Sequence, residues 1–200
     1  MLYNSTTAAS KTTRKARSDG AALVLGLGNT LLGDDGVGIH VVRRLRRSAG
    51  SARGVRFLDG GTLSPSLLEA IEKASVLIVV SAAQLDERAG SVRVFREETM
   101  DRFLRAGRSR SVHEASLLEL LDTARVANRL PSKRAFVGIQ PQRMGWGTEL
   151  SPPVSTGLPL AENHVRSLLA RYGDHAAVSN IPSALRAAHP RQPVRAARGA

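Results

Sequence analysis

The chain contains no cysteine and few aromatic residues. Its 200 residues include no Cys, one Trp, two Tyr and four Phe, so aromatic side chains make up 4% of the sequence. Without cysteine, the protein has neither a disulfide bond nor a thiolate metal site. A metal ion held by side chains must therefore use carboxylate, imidazole or neutral oxygen ligands. The core must consist mainly of Leu, Val, Ile and Ala.

The sequence also lacks any apolar run near the roughly 18 residues that a membrane-spanning helix needs. Residues 1–20 are rich in Ser, Thr and Arg and have no apolar segment of the kind found in a secretory signal. These two absences lead us to expect a cytoplasmic protein with no membrane partner.

Acidic residues are scarce relative to basic ones, and the net charge is +12. Residues 1–20 carry four basic and one acidic side chains and residues 171–200 carry five and one, so +7 of the +12 lies at the two ends. Aromatic side chains interleaved with the basic ones, on which bases would stack, are missing. Nucleic acid is therefore an unlikely partner, and the basic ends favour solubility or contact with acidic partners.

The hydropathy pattern predicts one α/β domain over residues 21–170, preceded by a flexible extension (1–20) and followed by a basic, disordered tail (171–200). Apolar runs predict strands, and amphipathic segments between them predict helices. This alternation favours a single three-layer domain, a twisted, mostly parallel sheet with helices on both faces. The predicted strands are 21–27, 55–58, 75–80, 91–95 and 134–139, and the predicted helices are 37–47, 65–74, 100–106, 114–124 and 155–170.

The segment LVLGLGNTLLGDDGVGIHVV, residues 23–42, contains two adjacent carboxylates, Asp34 and Asp35, between a strand and a helix. Open α/β sheets bind ligands at the carboxyl ends of their strands, and a helix N-terminus favours ionised carboxylates. A dinucleotide site does not fit, because Leu31 stands where the third glycine of GxGxxG is required. One carboxylate can cap the helix. The other is then free to bind a metal or to polarise a water molecule.

Three predicted strands end in polar or acidic turns, at residues 29–35, at 59–62 and at Ser81. Asp59 lies in the turn DGGT after the second strand, where it serves either the turn alone or the site. His113 lies in SVHEASL at the entrance of an amphipathic helix. Parallel strands connected by right-handed crossovers bring such turns to one edge of the sheet, so we expect a single site assembled from distant parts of the chain.

The motifs GLGNTLLGDDGVGIHVV, DGGT, SVHEASLLELL and VGIQPQRMGWGTELSPPV resemble those of the endopeptidases that mature nickel–iron hydrogenases. The resemblance runs from about residue 23 to about residue 169. It implies an α/β enzyme that removes a C-terminal extension from the hydrogenase large-subunit precursor after nickel has been inserted. The nickel, supplied by the precursor, is the recognition signal, and no nucleotide cofactor is implied.

Carried over residue by residue, the resemblance implies that Asp35 and His113 are the nickel ligands. Asp34 and Asp35 are the predicted catalytic residues. Asp34 and Asp59 also match acidic positions of the family whose roles are structural or supportive. Asp59 and Trp146, the latter in the irregular segment 140–153, are predicted to bind the substrate. Trp146 has an alternative interpretation as a core residue.

Ser81 departs from the family pattern. It stands after the third strand, where the family has an Asp that serves as a second carboxylate ligand. A hydroxyl carries no charge and binds divalent cations weakly, so the change lowers metal affinity. The departure leaves an alternative function open: a non-catalytic relative that binds the precursor as a nickel checkpoint or chaperone.

Overall fold

The computed structural model describes residues 21–49, 54–62, 64–106 and 112–173. The extension predicted at 1–20 lies outside the described residues, as does the predicted tail from residue 174 onward.

Five strands form one mixed sheet in the order β2-β1-β3-β5-β4. Four of them are parallel, and β4 pairs antiparallel with β5 at one edge. The fold class predicted from the sequence is therefore confirmed. The strands are β1 (Ala22–Gly26), β2 (Val55–Asp59), β3 (Val76–Ala82), β4 (Val92–Arg96) and β5 (Lys133–Ile139).

Helices cover both faces of this sheet and complete the three layers. On one face, α1 and α5 pack over side chains such as Val24, Ile78 and Val137. On the other face, α2, α3 and α4 pack over Leu25 and Val79. The helices are α1 (Val37–Ala49), α2 (Leu67–Lys73), α3 (Glu97–Ala106), α4 (Val112–Val126) and α5 (Pro152–Tyr172).

The two central strands β1 and β3 are buried along their whole length, as their continuous apolar sequences predict. In contrast, the edge strands β2 and β4 have partly exposed residues throughout. Phe95, Phe103 and Phe136 stack in the layer beneath α3, with ring centroids 4.1 to 6.4 Å apart. Aliphatic side chains supply most of the remaining core, in agreement with the composition.

The last helix, predicted to end at residue 170, continues to Tyr172. The Tyr172 ring is buried, and its hydroxyl donates a hydrogen bond to Glu97 Oε1 at 2.5 Å. Lys133 Nζ donates to the Tyr172 carbonyl oxygen at 2.7 Å. These contacts hold the last turn of α5 against the sheet, so this turn belongs to the domain.

Close backbone contacts fix α1 against the middle of the sheet. A Cβ atom on Gly38 would lie 2.2 Å from the carbonyl oxygen of Val80, and one on Gly26 would lie 2.5 Å from that of Gly38. Both distances are shorter than any real contact, so only glycine permits this approach. The first turn of α1, and the loop that precedes it, therefore lie directly over the carboxyl ends of β1 and β3.

Candidate functional site

A short 3₁₀ turn, Asp34–Gly36, connects the loop after β1 to α1 and carries both carboxylates of the GDDG motif. Gly28, with φ of 131°, lies beneath this turn: a Cβ on it would approach the Asp35 carbonyl oxygen to 1.8 Å. The Asp35 side chain then accepts a hydrogen bond from the Asn29 amide at 2.8 Å. The Gly-rich loop thus folds back on itself and orients Asp35.

Asp35 and His113 meet at this edge of the sheet although they are 78 residues apart in the chain. His113 Nε2 and Asp35 Oδ2 are hydrogen-bonded at 2.9 Å. Both residues are buried, with 2% of Asp35 and 8% of His113 exposed. The structure therefore brings together the two residues that the sequence predicts as metal ligands.

Three buried polar atoms, two in this pair and one near the end of β3, have no hydrogen-bond partner among the described residues. They are Asp35 Oδ1, His113 Nδ1 and Ser81 Oγ. Buried polar atoms are almost always paired, so the unpaired atoms of Asp35 and His113 are free to interact with a ligand. The Nε2 atom of His40 in α1 is also buried and unpaired. Carboxylate and imidazole are ligand types that suit a divalent transition ion such as nickel. Asp35 and His113 thus fit a role in holding one.

Ser81 lies within β3, not after it as expected, because the strand extends to Ala82. It pairs in register with Gly138 of β5, and only 1% of it is exposed. Within the described ranges, no cluster of three or more His, Cys, Asp or Glu side chains could hold a metal. The described residues therefore contain the Asp35–His113 pair without a further Asp, Glu, His or Cys side chain that would complete a group of three.

Asp34 is directed away from this pair and is fully saturated with hydrogen bonds. Its Oδ2 accepts from the amides of Gln142 and Arg143 at 2.9 and 3.0 Å and from the Ser151 hydroxyl at 2.8 Å, and its Oδ1 accepts from the Ser151 amide at 2.7 Å. Burial alone would raise the pKa of Asp34, but these hydrogen bonds outweigh burial and hold it below its ordinary value. Asp34 is thus an ionised anchor.

The segment anchored by Asp34, residues 141–151, is named the strap here. Backbone bridges join Leu32 to Gly147 and Gly33 to Met144, so the strap lies along the loop that carries Asp35. The sequence pattern missed Ser151 as a site residue. Its place before two prolines signals a helix start, but its hydroxyl bonds Asp34, not its own helix.

The two residues predicted to bind substrate lie on different elements, Trp146 on the strap and Asp59 at the end of β2. Trp146, on the strap, is 90% exposed, so its alternative interpretation as a core residue is wrong. Asp59 ends β2, where it forms an ion pair with Arg43 at 2.9 Å and accepts a hydrogen bond from the Gly61 amide at 3.1 Å. The two residues do not contact the Asp35–His113 pair.

Comparison with known proteins agrees with this geometry. A family model described as hydrogenase maturation protease matches residues 39–167. The hydrogenase expression/formation protein HupD of Thiocapsa roseopersicina is 32% identical over 158 residues, which cover 78% of this chain and 71% of HupD. The hydrogenase 2 maturation protease of Escherichia coli K12 is 29% identical over 152 residues, covering 76% of this chain and 92% of that protein.

Comparison with solved structures indicates the same family. The hydrogenase maturating endopeptidase HybD from Escherichia coli superposes with a TM-score of 0.70 at 27% identity, over 76% of this chain and 94% of HybD. The chain therefore belongs to the hydrogenase maturation protease family and acts as an endopeptidase. The alternative of a non-catalytic relative is not favoured. Among the described residues, no helix is long and apolar enough to cross a membrane.

Proposed function

We propose that this endopeptidase removes the C-terminal extension of a nickel-loaded hydrogenase large-subunit precursor, and that Asp35 and His113 contact the nickel. The observation that carries this proposal is the buried Asp35–His113 hydrogen bond of 2.9 Å. Each of the two residues also has a second polar atom that is buried and unpaired. A carboxylate and an imidazole with unpaired buried atoms support binding of a metal ion that the precursor brings.

The chemistry then depends on the metal that the precursor carries. A divalent ion next to the scissile peptide polarises its carbonyl group or activates a water molecule. Asp35 and His113 fix the position of the metal, and their burial excludes bulk water from it. Since the chain contains no cysteine, hydrolysis by a thiol nucleophile is excluded.

Ser81 supports the view that nickel arrives with the substrate. A hydroxyl in place of a carboxylate leaves the protein one negative charge short, which lowers its affinity for free metal ions. A metal already bound by the precursor needs fewer ligands from the protease. Specificity then comes from the nickel and from the surface of the precursor.

Trp146 and Asp59 are proposed to contact the precursor on either side of the metal. The exposed side chains of Leu31, Met144 and Trp146 all lie on the strap or on the loop that it covers. Monomeric domains rarely expose several large apolar side chains together unless they bind something there. Asp59 offers a carboxylate at the end of β2, on the side of the site formed by α1.

Cleavage of the precursor tests the proposal. A nickel-loaded large-subunit precursor is incubated with the unmodified chain, with His113→Ala and with Ser81→Asp, and released peptide is detected by mass spectrometry. We expect cleavage by the unmodified chain and a cleavage rate at least about 100-fold lower for His113→Ala. A direct metal ligand contributes more to metal binding than a residue that only orients a ligand. Glu119→Ala, an exposed residue of the same helix, is the matched control and should cleave normally.

Two results would contradict the proposal. The first is efficient cleavage of the nickel-free precursor, since the metal would then not be needed. The second is cleavage by Ser81→Asp alone, since the unmodified chain would then bind the precursor without processing it. Circular dichroism of every variant establishes that the comparison is made between folded proteins.

A further inference from the structure

The strand β2 lies at one edge of the sheet and pairs only with β1 among the described residues. In a parallel ladder, alternate residues of an edge strand direct their backbone groups toward the neighbouring strand and away from it. The Ala22 amide donates to the Gly54 oxygen at 2.8 Å, and the Gly60 amide donates to the Gly26 oxygen at 2.9 Å. Residues 54, 56, 58 and 60 therefore face β1.

The amides and carbonyls of Val55, Phe57 and Asp59 consequently point outward from the sheet. None of the described residues forms a backbone hydrogen bond with them. An open row of donors and acceptors is a template for one more strand, and many proteins bind extended peptides in this way. The opposite edge strand, β4, also has outward-facing amides, so a substitution there provides a control.

The open edge of β2 runs directly into the site. Asp59 is followed by Gly60 and Gly61, and the Gly61 oxygen accepts a hydrogen bond from the Gly28 amide at 2.9 Å. Gly28 in turn packs against the backbone of Asp35. A peptide paired with β2 would therefore have one end next to the buried Asp35–His113 pair.

A groove of about 370 Å³ lies beside this edge, between β2 and α2. Leu58 and Leu67 form apolar walls, and Arg56 and Lys73 provide positive charge. Lys73 is paired with Glu69, which also lines the groove and lies within electrostatic reach of Arg56. Arg56 is exposed and forms no ion pair of 4 Å or less among the described residues. The groove therefore offers apolar surface near the site and an unpaired cation farther from it.

We propose that the open edge of β2 binds the C-terminal extension of the precursor as an added antiparallel strand. This inference rests on the proposed function, which places the scissile bond at Asp35 and His113. The extension follows that bond, so it must lead away from the site, from Asp59 toward Val55. Its terminal carboxylate then lies at the end of the groove where Arg56 is unpaired. Five paired residues at about 3.3 Å each cover the length of β2.

The variant Phe57→Pro tests this pairing, because proline removes the outward amide and keeps the ladder to β1 intact. Phe57→Ala is the first control, since it removes the same ring but retains the amide. Val94→Pro is the second control and places a proline in the other edge strand. The Ile139 oxygen accepts a hydrogen bond from the Ala83 amide, so Ile139 faces β3 and its neighbour Gly138 faces β4. Gly138 pairs with Arg93, so the backbone of Arg93 faces β5. The amide of the next residue, Val94, therefore faces outward.

The measurement is steady-state cleavage of the nickel-loaded precursor. Relative to Phe57→Ala, we expect Phe57→Pro to raise KM at least about tenfold and to change kcat less than about twofold. Val94→Pro should leave both constants unchanged. In a binding assay, the mature large subunit without its extension should bind the unmodified chain at least tenfold more weakly than the precursor.

Equal KM values for Phe57→Pro and Phe57→Ala would overturn the strand pairing and leave the proposed function intact. No cleavage of the nickel-loaded precursor by the unmodified chain would instead refute the proposed function, and this inference with it. Light scattering separates one more alternative: a dimer that Phe57→Pro converts to a monomer would mean that a second copy of the chain occupies the edge.

If Phe57→Pro does not fold, Arg56→Glu provides an independent test. Its side chain is exposed, so the substitution leaves the core unchanged. Repulsion of the terminal carboxylate should raise KM at least about threefold, and Arg102→Glu, at an exposed basic residue of α3, should not. An unchanged KM for Arg56→Glu would overturn the proposed docking of the extension in this groove.

Discussion

Asp34 and Asp35 are neighbours in the chain, yet their carboxylates face different partners. Asp35 accepts one backbone hydrogen bond and contacts His113, and one of its oxygens is unpaired. Asp34 accepts four hydrogen bonds from the strap and has no oxygen left for a metal or a substrate. We therefore propose that Asp34 positions the site and that Asp35 touches the reacting groups.

The substitution Asp34→Asn should loosen the strap. An amide has one oxygen to accept hydrogen bonds and places its NH₂ group against a backbone amide, so at least one buried donor loses its partner. We expect the free energy of unfolding to fall by about 2–4 kcal/mol. Trp146 is the only tryptophan of the chain, so its fluorescence anisotropy reports directly on the strap and should decrease.

Asp35→Asn is the natural comparison for this variant. Its carboxylate has fewer hydrogen bonds to lose, so we expect a smaller change in stability, normal Trp146 anisotropy and loss of cleavage. Unchanged anisotropy and stability in Asp34→Asn would show that the four hydrogen bonds do not hold the strap.

At the scale of elements, the strap presents apolar side chains where a precursor would approach. We expect Trp146→Ala to raise KM for the nickel-loaded precursor by about 10- to 30-fold, because exposed tryptophans at interfaces often contribute about 2 kcal/mol. The melting temperature should not change, since 90% of the side chain is exposed. Val126→Ala, 86% exposed at the end of α4, is the control and should not affect cleavage.

The elements themselves were predictable to different degrees. Continuous apolar runs identified β1 and β3, both of which are buried along their whole length. The start of α3 was missed because Glu97 adopts a positive φ of 45° directly after β4, which its residue type does not signal. The course of the strap was also unpredictable, because it is fixed by Asp34, more than 100 residues earlier.

At the scale of the whole molecule, one ion-pair network joins the helical layer to the sheet. Arg134 of β5 donates two hydrogen bonds to Asp101 of α3, at 3.1 and 2.7 Å, and Arg125 of α4 donates a third at 2.8 Å. Burial tends to raise the pKa of Asp101, but the guanidinium of Arg134 and its neighbours hold it below its ordinary value. The folded protein thus favours the ionised carboxylate.

This shift predicts how stability depends on pH. The unfolded chain binds a proton at Asp101 near pH 4, whereas the folded protein binds it only at lower pH. The stabilisation is therefore complete above about pH 5 and is lost as the pH falls through the lower pKa of the folded state. The free energy of unfolding is measured by urea denaturation at pH 7 and at pH 3. At pH 7, we expect a lower value for Asp101→Asn than for the unmodified chain. Between pH 7 and pH 3, the value for Asp101→Asn should fall by less.

Glu69→Gln serves as the control for this prediction. Glu69 pairs with Lys73 on the surface of α2, where solvent screens the interaction, so its removal should change the pH profile little. An Asp101→Asn variant with the same acid response as the unmodified chain would contradict the role given to the network.

The proximity of Asp35 and His113 could be expected from the sequence, but the surroundings of this pair could not. Strand order and crossover handedness place Asp35 at the carboxyl edge of the sheet, and the family resemblance singled out His113. Neither source reveals that Ser81 lies inside β3 or that Ser151 serves Asp34, because both facts depend on side-chain directions in the folded chain.

The separation of Asp35 from His113 in the sequence has a consequence for biosynthesis. A nascent chain that ends before α4 contains the Gly-rich loop with Asp35 but lacks His113. A chain that ends before residue 142 lacks the strap residues that donate hydrogen bonds to Asp34. Since α5 follows the strap directly, the site is complete only when nearly the whole domain has emerged from the ribosome. Under the proposed function, truncated products of translation therefore cannot process a precursor prematurely, and proteolytic competence would itself report completed folding.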